Sequence, residues 1–389
     1  MNTSHFQGAS GFLSLFNHLL SLSTVSSTNS TLDQSNLPVI QLLAEVFEQL
    51  GFNCELIPVS DYPKKANLIA TYGTGPGGLV LSGHTDTVPF DEALWEHNPL
   101  KMTEKDNRLY GLGSSDMKGF FAIIYAALEP LLKQEINFKH PLIILATSDE
   151  ESSMNGARVL TKLGKPKARY AVIGEPTGLR PINMHKSIMM ETIRIQGQSG
   201  HSSNPSLGKN ALEAMHNVIA SLLKFRQQLQ LEYQNPHFAV DVPTMNLGAI
   251  HGGDNPNRIC GHCNLEFDVR LLPGMANDSI REKIRELIVP IAGKYQTEIS
   301  LTSLFPGIEA FENKDSELVL IAEKLTGHNA MSVAFGTEAP FLQELGMDTI
   351  VLGPGSINQA HQPNEYMAVA QVQPAITIIQ NLIKNCCLT

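Results

Sequence analysis

The chain has 389 residues, of which 42% are hydrophobic and 17% are charged, and its formal net charge is -10. This length exceeds what one compact domain usually holds, so two domains are expected. The negative charge and the lack of clustered Lys and Arg argue against nucleic acid as a partner, because neutralising phosphates requires basic residues.

The first apolar stretch, Phe12 to Leu22, has the character of a signal-peptide core but lacks its basic start. No Lys or Arg precedes Lys64, and Asn17 and His18 interrupt the stretch. No uninterrupted apolar run approaches the ~18 residues that a membrane span requires. We therefore expect a cytoplasmic protein that does not bind a membrane.

The cysteines also favour a reducing compartment. Their number, five, is odd, and Cys386 and Cys387 are adjacent, which is not typical of a disulfide framework. Cys260 and Cys263 have the spacing of half a zinc ribbon or of a redox pair, but no second pair completes a structural zinc site. Free thiols are expected.

The first half of the chain alternates helix and strand patterns. A helix is predicted after Asn36, with Pro38 in its first turn, and it ends at Gly51. Another helix is predicted from Phe120 to Lys133. Short apolar runs, typical of buried parallel strands, occur at Leu79 to Leu81, Leu142 to Ala146, Tyr170 to Ile173 and Thr349 to Leu352. This order predicts an α/β fold with a doubly wound, mostly parallel sheet.

The middle of the chain breaks this alternation with the order βαββαβ, which is typical of a small α+β sandwich. The predicted elements are Met189 to Ile195, Asn210 to Leu231, Thr244 to Ala249, Cys263 to Leu271, Ser279 to Tyr295 and Glu298 to Leu304. We predict a catalytic domain formed by residues 1–184 and 305–389, with residues 185–304 inserted as a second domain.

Histidines and acidic residues follow the carboxyl ends of the predicted strands. They are His84, Asp86, Asp149, Glu150, Glu151, Glu175 and His361, and Asp116 lies in a glycine-rich loop, Gly111–Gly119. In open parallel sheets, ligands bind in the crevice outside these strand ends, so the side chains are expected to converge. Each motif alone is more typical of a polar turn or a solvated surface. Their combination over five separate segments indicates a site.

The residue types predict a metal centre. Imidazoles combined with carboxylates suit Zn²⁺ or a similar divalent ion. The negative charges of three carboxylates and a bridging hydroxide would balance the four positive charges of two such ions. Asp86, two residues after His84 in an extended segment, points the same way and can hold the second imidazole nitrogen. Glu150 and Glu151 point in different directions, so one can bind metal while the other moves protons for a water bound to the metal.

These segments resemble the M20 metallopeptidases and deacylases over essentially the whole chain. The matching segments are Ser82–Pro89, Gly113–Gly119, Ser148–Glu151, Gly174–Thr177, Ser199–Ser203 and Gln359–Pro363. The resemblance implies two zinc ions per subunit, for which cobalt may substitute, in an amide hydrolase. It implies that His84 and Glu175 bind one ion, that Glu151 and His361 bind the other, and that Asp116 bridges them. It also makes Glu150 the general base and Asp86 the residue that orients His84.

The family also implies that the inserted domain is a lid that mediates homodimerisation. In that arrangement, His201 would enter the partner's active site and stabilise the oxyanion. From the residues alone, His201 is more typical of an ordinary turn.

The substrate is expected to be a small N-acyl amino acid. The segments 194–203, 257–260, 337–340 and 352–366 resemble the family members that release acetate from N2-acetyl-L-ornithine in arginine biosynthesis. Succinyl-diaminopimelate, other N-acyl amino acids and dipeptides stay open as alternatives, and so does a noncatalytic relative, which would have lost a ligand or the base. Candidate substrate contacts are Asn257, Arg258, Arg270 and Glu338, although Arg258 and Arg270 equally fit salt bridges and Glu338 a structural hydrogen bond.

Overall fold

The computed structural model describes residues 9–61, 63–134 and 136–388, which divide into two units. Unit 1 holds the described residues up to Asn183, the segment Asn313–Met331 and the described residues from Glu338 onward. Unit 2 holds Met184–Glu312 and Ser332–Thr337. Each unit encloses a hydrophobic core of its own.

The helices include the four that the sequence predicts. In chain order, the helices are α1 Ala9–Ser21, α2 Leu37–Gln49, α3 Gly119–Leu132, α4 Asn155–Leu163, α5 Ala211–Glu232, α6 Asn277–Tyr295, α7 Glu317–Thr326, α8 Ala339–Glu344 and α9 Val369–Ile383. The four predicted helices are α2, α3, α5 and α6. Among the described helices, none combines the length and apolar character that crossing a bilayer requires.

The strands include each of the predicted apolar runs. They are β1 Asn53–Asp61, β2 Lys64–Tyr72, β3 Leu79–His84, β4 Thr103–Lys105, β5 Arg108–Tyr110, β6 Leu142–Thr147, β7 Tyr170–Pro176, β8 Ile182–His185, β9 Met189–Gln196, β10 Thr244–Gly252, β11 His262–Arg270, β12 Glu298–Ser303, β13 Phe311–Glu312, β14 Met331–Val333, β15 Asp348–Gly353 and β16 Tyr366–Ala368.

The main sheet of unit 1 runs in the order β1-β2-β6-β3-β7-β15. Its centre, β6-β3-β7-β15, is parallel, whereas β1 and β2 are attached antiparallel. Every residue of β3, β6 and β7 is buried, which explains their continuous apolar sequences. The predicted α/β class with a mostly parallel sheet is confirmed.

Helix α3 is the central helix of unit 1. It is apolar on nearly all sides and packs against α1 and α9. Helix α2 begins where Asn36 and Pro38 predict, but Asn36 does not cap it. Its amide side chain instead accepts a hydrogen bond from the Ala66 backbone N–H and donates one to the Ala66 carbonyl. Asn36 therefore ties the start of α2 to strand β2.

Unit 2 contains a four-stranded antiparallel sheet in the order β10-β11-β9-β12. Buried side chains alternate with more exposed ones along β11. Helices α5 and α6 pack together beside this sheet. The predicted βαββαβ order is confirmed, and the structure shows that its sheet is antiparallel. Asn210 caps α5, because its side chain accepts hydrogen bonds from the Leu212 and Glu213 backbone N–H groups.

Candidate metal centre

Three adjacent strands of unit 1 deliver ligand-type side chains to one edge of the sheet. Strand β3 ends at His84, strand β7 carries Glu175 next to its last residue, and Glu150 and Glu151 follow the end of β6 at Thr147. The strands are parallel, and His84 lies opposite Thr147 in the register. Since parallel neighbours end at the same edge, their terminal side chains converge there.

Asp116 reaches this edge from the tight loop between β5 and α3. Gly113 in the loop has φ +81°, and a Cβ there would lie 2.6 Å from Cε of Lys118. The Gly119 backbone N–H donates to the Gly113 carbonyl at 2.9 Å. Glycine is needed at position 113, since a side chain would meet both a strained backbone and the buried lysine.

The two carboxylate oxygens of Asp116 face different imidazoles. Oδ1 lies 3.0 Å from Nε2 of His84, and Oδ2 lies 3.5 Å from Nε2 of His361. Glu175 Oε1 is 3.7 Å from the same His84 nitrogen, and Glu151 Oε2 is 2.9 Å from the His361 nitrogen. The side chains therefore form two imidazole–carboxylate groups that share Asp116.

The atoms of this cluster are suitable for holding cations. Single ligand atoms from His84, Glu150 and Glu175 lie within 4.8 Å of one another, and so do those from His84, Asp116 and Glu151. Within the described residues, Glu151 Oε1 and Glu175 Oε1 are buried without a hydrogen-bond donor. Buried oxygens normally have a partner, and a divalent ion of the zinc type accepts both imidazole and carboxylate ligands. The residues thus fit a metal ion.

The pKa values of the three crowded glutamates are raised. Burial and then the charge of Glu175 raise the pKa of Glu150 well above its usual range. Burial and the charge of Asp116 raise the pKa of Glu175 strongly and that of Glu151 to a lesser degree. A cation placed among these groups would favour their ionised forms.

The pKa values of the two imidazoles are also raised, because carboxylates surround them. Hydrogen bonds to Asp116 and Glu151 raise the pKa of His361 to about 10. Burial opposes a charge on His84, but its hydrogen bond to Asp116 and the charge of Glu175 raise its pKa well above 6.5. Burial likewise opposes ionisation of Asp116, yet the hydrogen bonds from both imidazoles hold its pKa well below the usual range. Protons and metal ions therefore compete for these nitrogens.

Asp86 contacts the His84 imidazole by a different atom from the one the sequence argument assigned. The backbone carbonyl of Asp86 lies 3.0 Å from Nδ1 of His84, whereas the carboxylate Oδ1 is 3.8 Å away. The carboxylate Oδ2 instead accepts the Glu151 backbone N–H at 3.0 Å. Asp86 thus links His84 to the loop that carries the two adjacent glutamates.

That loop is anchored by a buried ion pair that sequence reasoning missed. Asp149 has φ +62° and lies directly before Glu150. Its carboxylate accepts hydrogen bonds from the Lys65 ammonium and from the Ser26 hydroxyl. The same ammonium donates to Asp33 at 2.6 Å. The only sequence signal is the acidic residue before Glu150, since Lys65 looks like an ordinary strand-edge lysine.

Glu338 is buried in unit 1, directly before α8. Its Oε2 accepts a hydrogen bond from the Thr147 hydroxyl at 2.9 Å, and burial raises its pKa to about 7. Thr147 is the last residue of β6. Of the two roles considered from the sequence, this contact is the structural hydrogen bond.

The other sequence-predicted residues lie in unit 2. His201 forms a β-bridge with Arg258, and its Nδ1 accepts the Ser203 backbone N–H at 3.2 Å. Arg258 pairs with Asp254 and is exposed. Arg270 pairs with Asp268 at 2.9 Å. Both arginines thus make the local salt bridges that were the alternative to substrate binding. Asn257, beside Arg258, is exposed.

Two buried charged residues were also missed, Glu365 and Lys118. Their exposed fractions are 1% and 0%. Both lie inside segments that carry the family resemblance. Glu365 is four residues after His361 and Lys118 is two residues after Asp116, so their position close to predicted ligands could have identified them. Burial lowers the pKa of Lys118 to about 7, against the opposing charges of Glu365 and Asp86.

Relatives of this chain are similar along nearly its full length. An acetylornithine deacetylase of Edwardsiella ictaluri is 47% identical over 97% of this chain and 98% of that protein. An acetylornithine deacetylase of Proteus mirabilis is 46% identical over 97% of each chain.

Solved structures share the fold at low sequence identity. Aminopeptidase PepT of Bacillus cereus has a TM-score of 0.75 at 18% identity, covering 99% of this chain and 98% of that one. A dinuclear metal-binding M20 peptidase of Bacillus subtilis has a TM-score of 0.68 at 14% identity, covering 96% of each chain. The family model of peptidase family M20/M25/M40 matches residues 80–385. By this match, which spans the strand-end cluster from His84 to His361, the chain belongs to peptidase family M20/M25/M40.

Proposed function

We propose that this chain is a zinc-dependent acetylornithine deacetylase, which hydrolyses the amide of N2-acetyl-L-ornithine to L-ornithine and acetate. The observation that carries the proposal is an intact imidazole and carboxylate cluster in a chain 46–47% identical, almost end to end, to proteins of that name. A noncatalytic relative would be expected to have lost a ligand or the base. We further propose arginine biosynthesis as the pathway of this reaction and the cytoplasm as the location of the protein.

The proposed ligands are the two groups that share Asp116. His84 and Glu175 would hold one zinc ion, His361 and Glu151 the other, and Asp116 would contribute one oxygen to each, as its two oxygens face the two imidazoles. Cobalt is expected to substitute, because its ligand preferences are close to those of zinc. When bound, the ions would polarise the amide carbonyl and lower the pKa of water.

Glu150 is the proposed general base. It lies in the cluster with His84 and Glu175 but is not needed by either imidazole–carboxylate group, so its carboxylate is free to move a proton. It would take a proton from the attacking water and deliver it to the amine nitrogen as the amide bond breaks. Asp86 would hold the His84 ring through its backbone carbonyl and the Glu151 backbone through its carboxylate.

The roles of unit 2 are proposed from the family resemblance. The inserted residues 185–304 would form a lid and a homodimer interface, while 1–184 and 305–389 form the catalytic domain. His201 of the partner subunit would stabilise the oxyanion. Asn257, Arg258 and Arg270 are candidate contacts for the substrate carboxylate, and Glu338 for the ornithine ammonium. The arginines would first have to leave Asp254 and Asp268.

The substrate is tested by comparing turnover of N2-acetylornithine, N-acetylmethionine and N-succinyl-diaminopimelate by the zinc-loaded protein. We expect the highest kcat/KM for N2-acetylornithine. Faster hydrolysis of either other amide would replace the proposed substrate by that one. No hydrolysis of any amide, with two zinc ions bound, would overturn the proposed activity.

A further inference from the structure

The carboxylate of Glu365 holds the backbone of the loop that carries Asp116. Its Oε2 accepts the Gly113 backbone N–H at 3.0 Å. Its Oε1 accepts the backbone N–H groups of Ser115 at 2.7 Å and Asp116 at 3.0 Å, and the Ser114 hydroxyl at 3.4 Å. One buried carboxylate thus contacts four consecutive residues.

The backbone next to Glu365 holds the same loop at further points. The Gly111 backbone N–H donates to the Glu365 carbonyl at 3.0 Å, and the Ser115 hydroxyl donates to the Tyr366 carbonyl at 2.7 Å. Tyr366 also pairs with Tyr110 where β16 meets β5. The bonds to the two backbone carbonyls hold the loop in place. The Glu365 carboxylate orients the backbone N–H groups of the loop.

Every contact between the Glu365 carboxylate and the loop comes from a hydrogen-bond donor of the loop. An ionised carboxylate accepts all four loop bonds. A carboxamide would turn an N–H group toward one of these donors.

We propose that Glu365 is a positioning residue of the metal centre, which fixes the Gly113–Asp116 backbone so that Asp116 presents one oxygen to each imidazole. The inference rests on the proposed two-metal function. It extends that function to a side chain that is not itself a ligand. Partners that orient metal ligands typically contribute a factor of about 10–100 to metal affinity or activity.

The test compares the wild type with Glu365→Gln, which keeps the size of the side chain and removes its charge. Zinc affinity is measured by competition with a chromophoric chelator, and kcat and KM are measured with N2-acetylornithine. We expect zinc binding about 10–100-fold weaker and a comparable fall in kcat, with KM little changed. Hydrogen exchange of peptides covering 111–118 is expected to become faster in the variant.

A matched control separates positioning from a general loss of stability. Glu191 is fully buried in unit 2 and accepts a hydrogen bond from Arg281 Nε at 2.7 Å. Glu191→Gln makes the same chemical change there and is expected to lower stability without changing zinc affinity. If Glu365→Gln fails to fold, Glu365→Asp, which keeps the charge but shortens the reach, is measured in its place, with the same expected direction.

Unchanged zinc affinity and unchanged exchange in the folded variant would overturn the proposal. An equal loss of zinc affinity in Glu191→Gln would also overturn it. Both readouts use zinc and the backbone alone. They stay informative if the wild type binds two zinc ions but does not hydrolyse N2-acetylornithine, so failure of the proposed substrate is distinguishable from failure of this inference.

Discussion

Replacing Lys65 with Met should destabilise unit 1 by leaving a carboxylate buried without its cation. The ammonium contacts Asp33 and Asp149, whose side chains are 15% and 6% exposed. Asp33 keeps access to water, so the cost falls mainly on Asp149. Removing one partner of a buried pair typically costs 3–5 kcal/mol, and with one stranded carboxylate we expect the lower end, about 3 kcal/mol. Met retains the apolar packing of the lysine stem.

The assay is urea unfolding followed by tryptophan fluorescence. Trp95 is the only tryptophan of the chain and belongs to unit 1, so its signal reports this unit. The control is the double variant Lys65→Met/Asp149→Asn, since removing both partners avoids the stranded charge. Asn tolerates the positive φ of Asp149. We expect the double variant to recover at least half of the lost stability.

The same pair sets a pH dependence. Burial opposes the charge on Lys65, but the hydrogen bonds that its ammonium donates to Asp149 and Asp33 outweigh burial and raise its pKa above 10.5. The contribution of this ion pair to the free energy of unfolding is therefore fully present below pH 10.5. It is lost as the pH rises through the higher pKa that Lys65 has in the folded state. The difference in stability between wild type and Lys65→Met should shrink in that alkaline range. A cost below about 1 kcal/mol at pH 7, the value of an exposed pair, would refute the reasoning, and so would a double variant as unstable as the single one.

Three further predictions concern the metal centre and unit 2. Glu150→Ala should lower kcat by about 10²–10⁴ without changing zinc content, measured by steady-state kinetics and metal analysis; unchanged turnover would reject its role as base. Removing metal with a chelator should abolish activity, and adding zinc or cobalt should restore it; activity that survives complete removal would exclude the mechanism. Burial lowers the pKa of His185 to about 4, so its contribution is present above pH 6.5 and lost as pH falls toward 4. His185→Gln should therefore flatten the rise in stability between pH 4 and 6.5, followed by circular dichroism, and an unchanged slope would contradict this assignment.

The positions of the central strands could be predicted because they follow from local sequence. Strands buried on both faces must be apolar throughout. The apolar runs that end near His84, Thr147 and Pro176 can therefore be recognised as strands from the sequence. Parallel pairing then brings their carboxyl ends to one edge, which is why the positions of Glu150 and Glu175 relative to these ends predicted a common site.

The tertiary structure alone decided which atoms meet. Alternation along an extended segment placed Asp86 on the same side as His84. It could not show whether the backbone carbonyl or the carboxylate of Asp86 contacts the imidazole. That choice depends on the Glu151 backbone N–H, which donates to the carboxylate and leaves the carbonyl to His84. Glu365 and Gly113 are 252 residues apart in the chain, so no local period relates them. Sequence patterns determined which strand end or loop carries each ligand. The orientation of the ligands depends on buried hydrogen bonds between distant segments, which form only when the chain is packed.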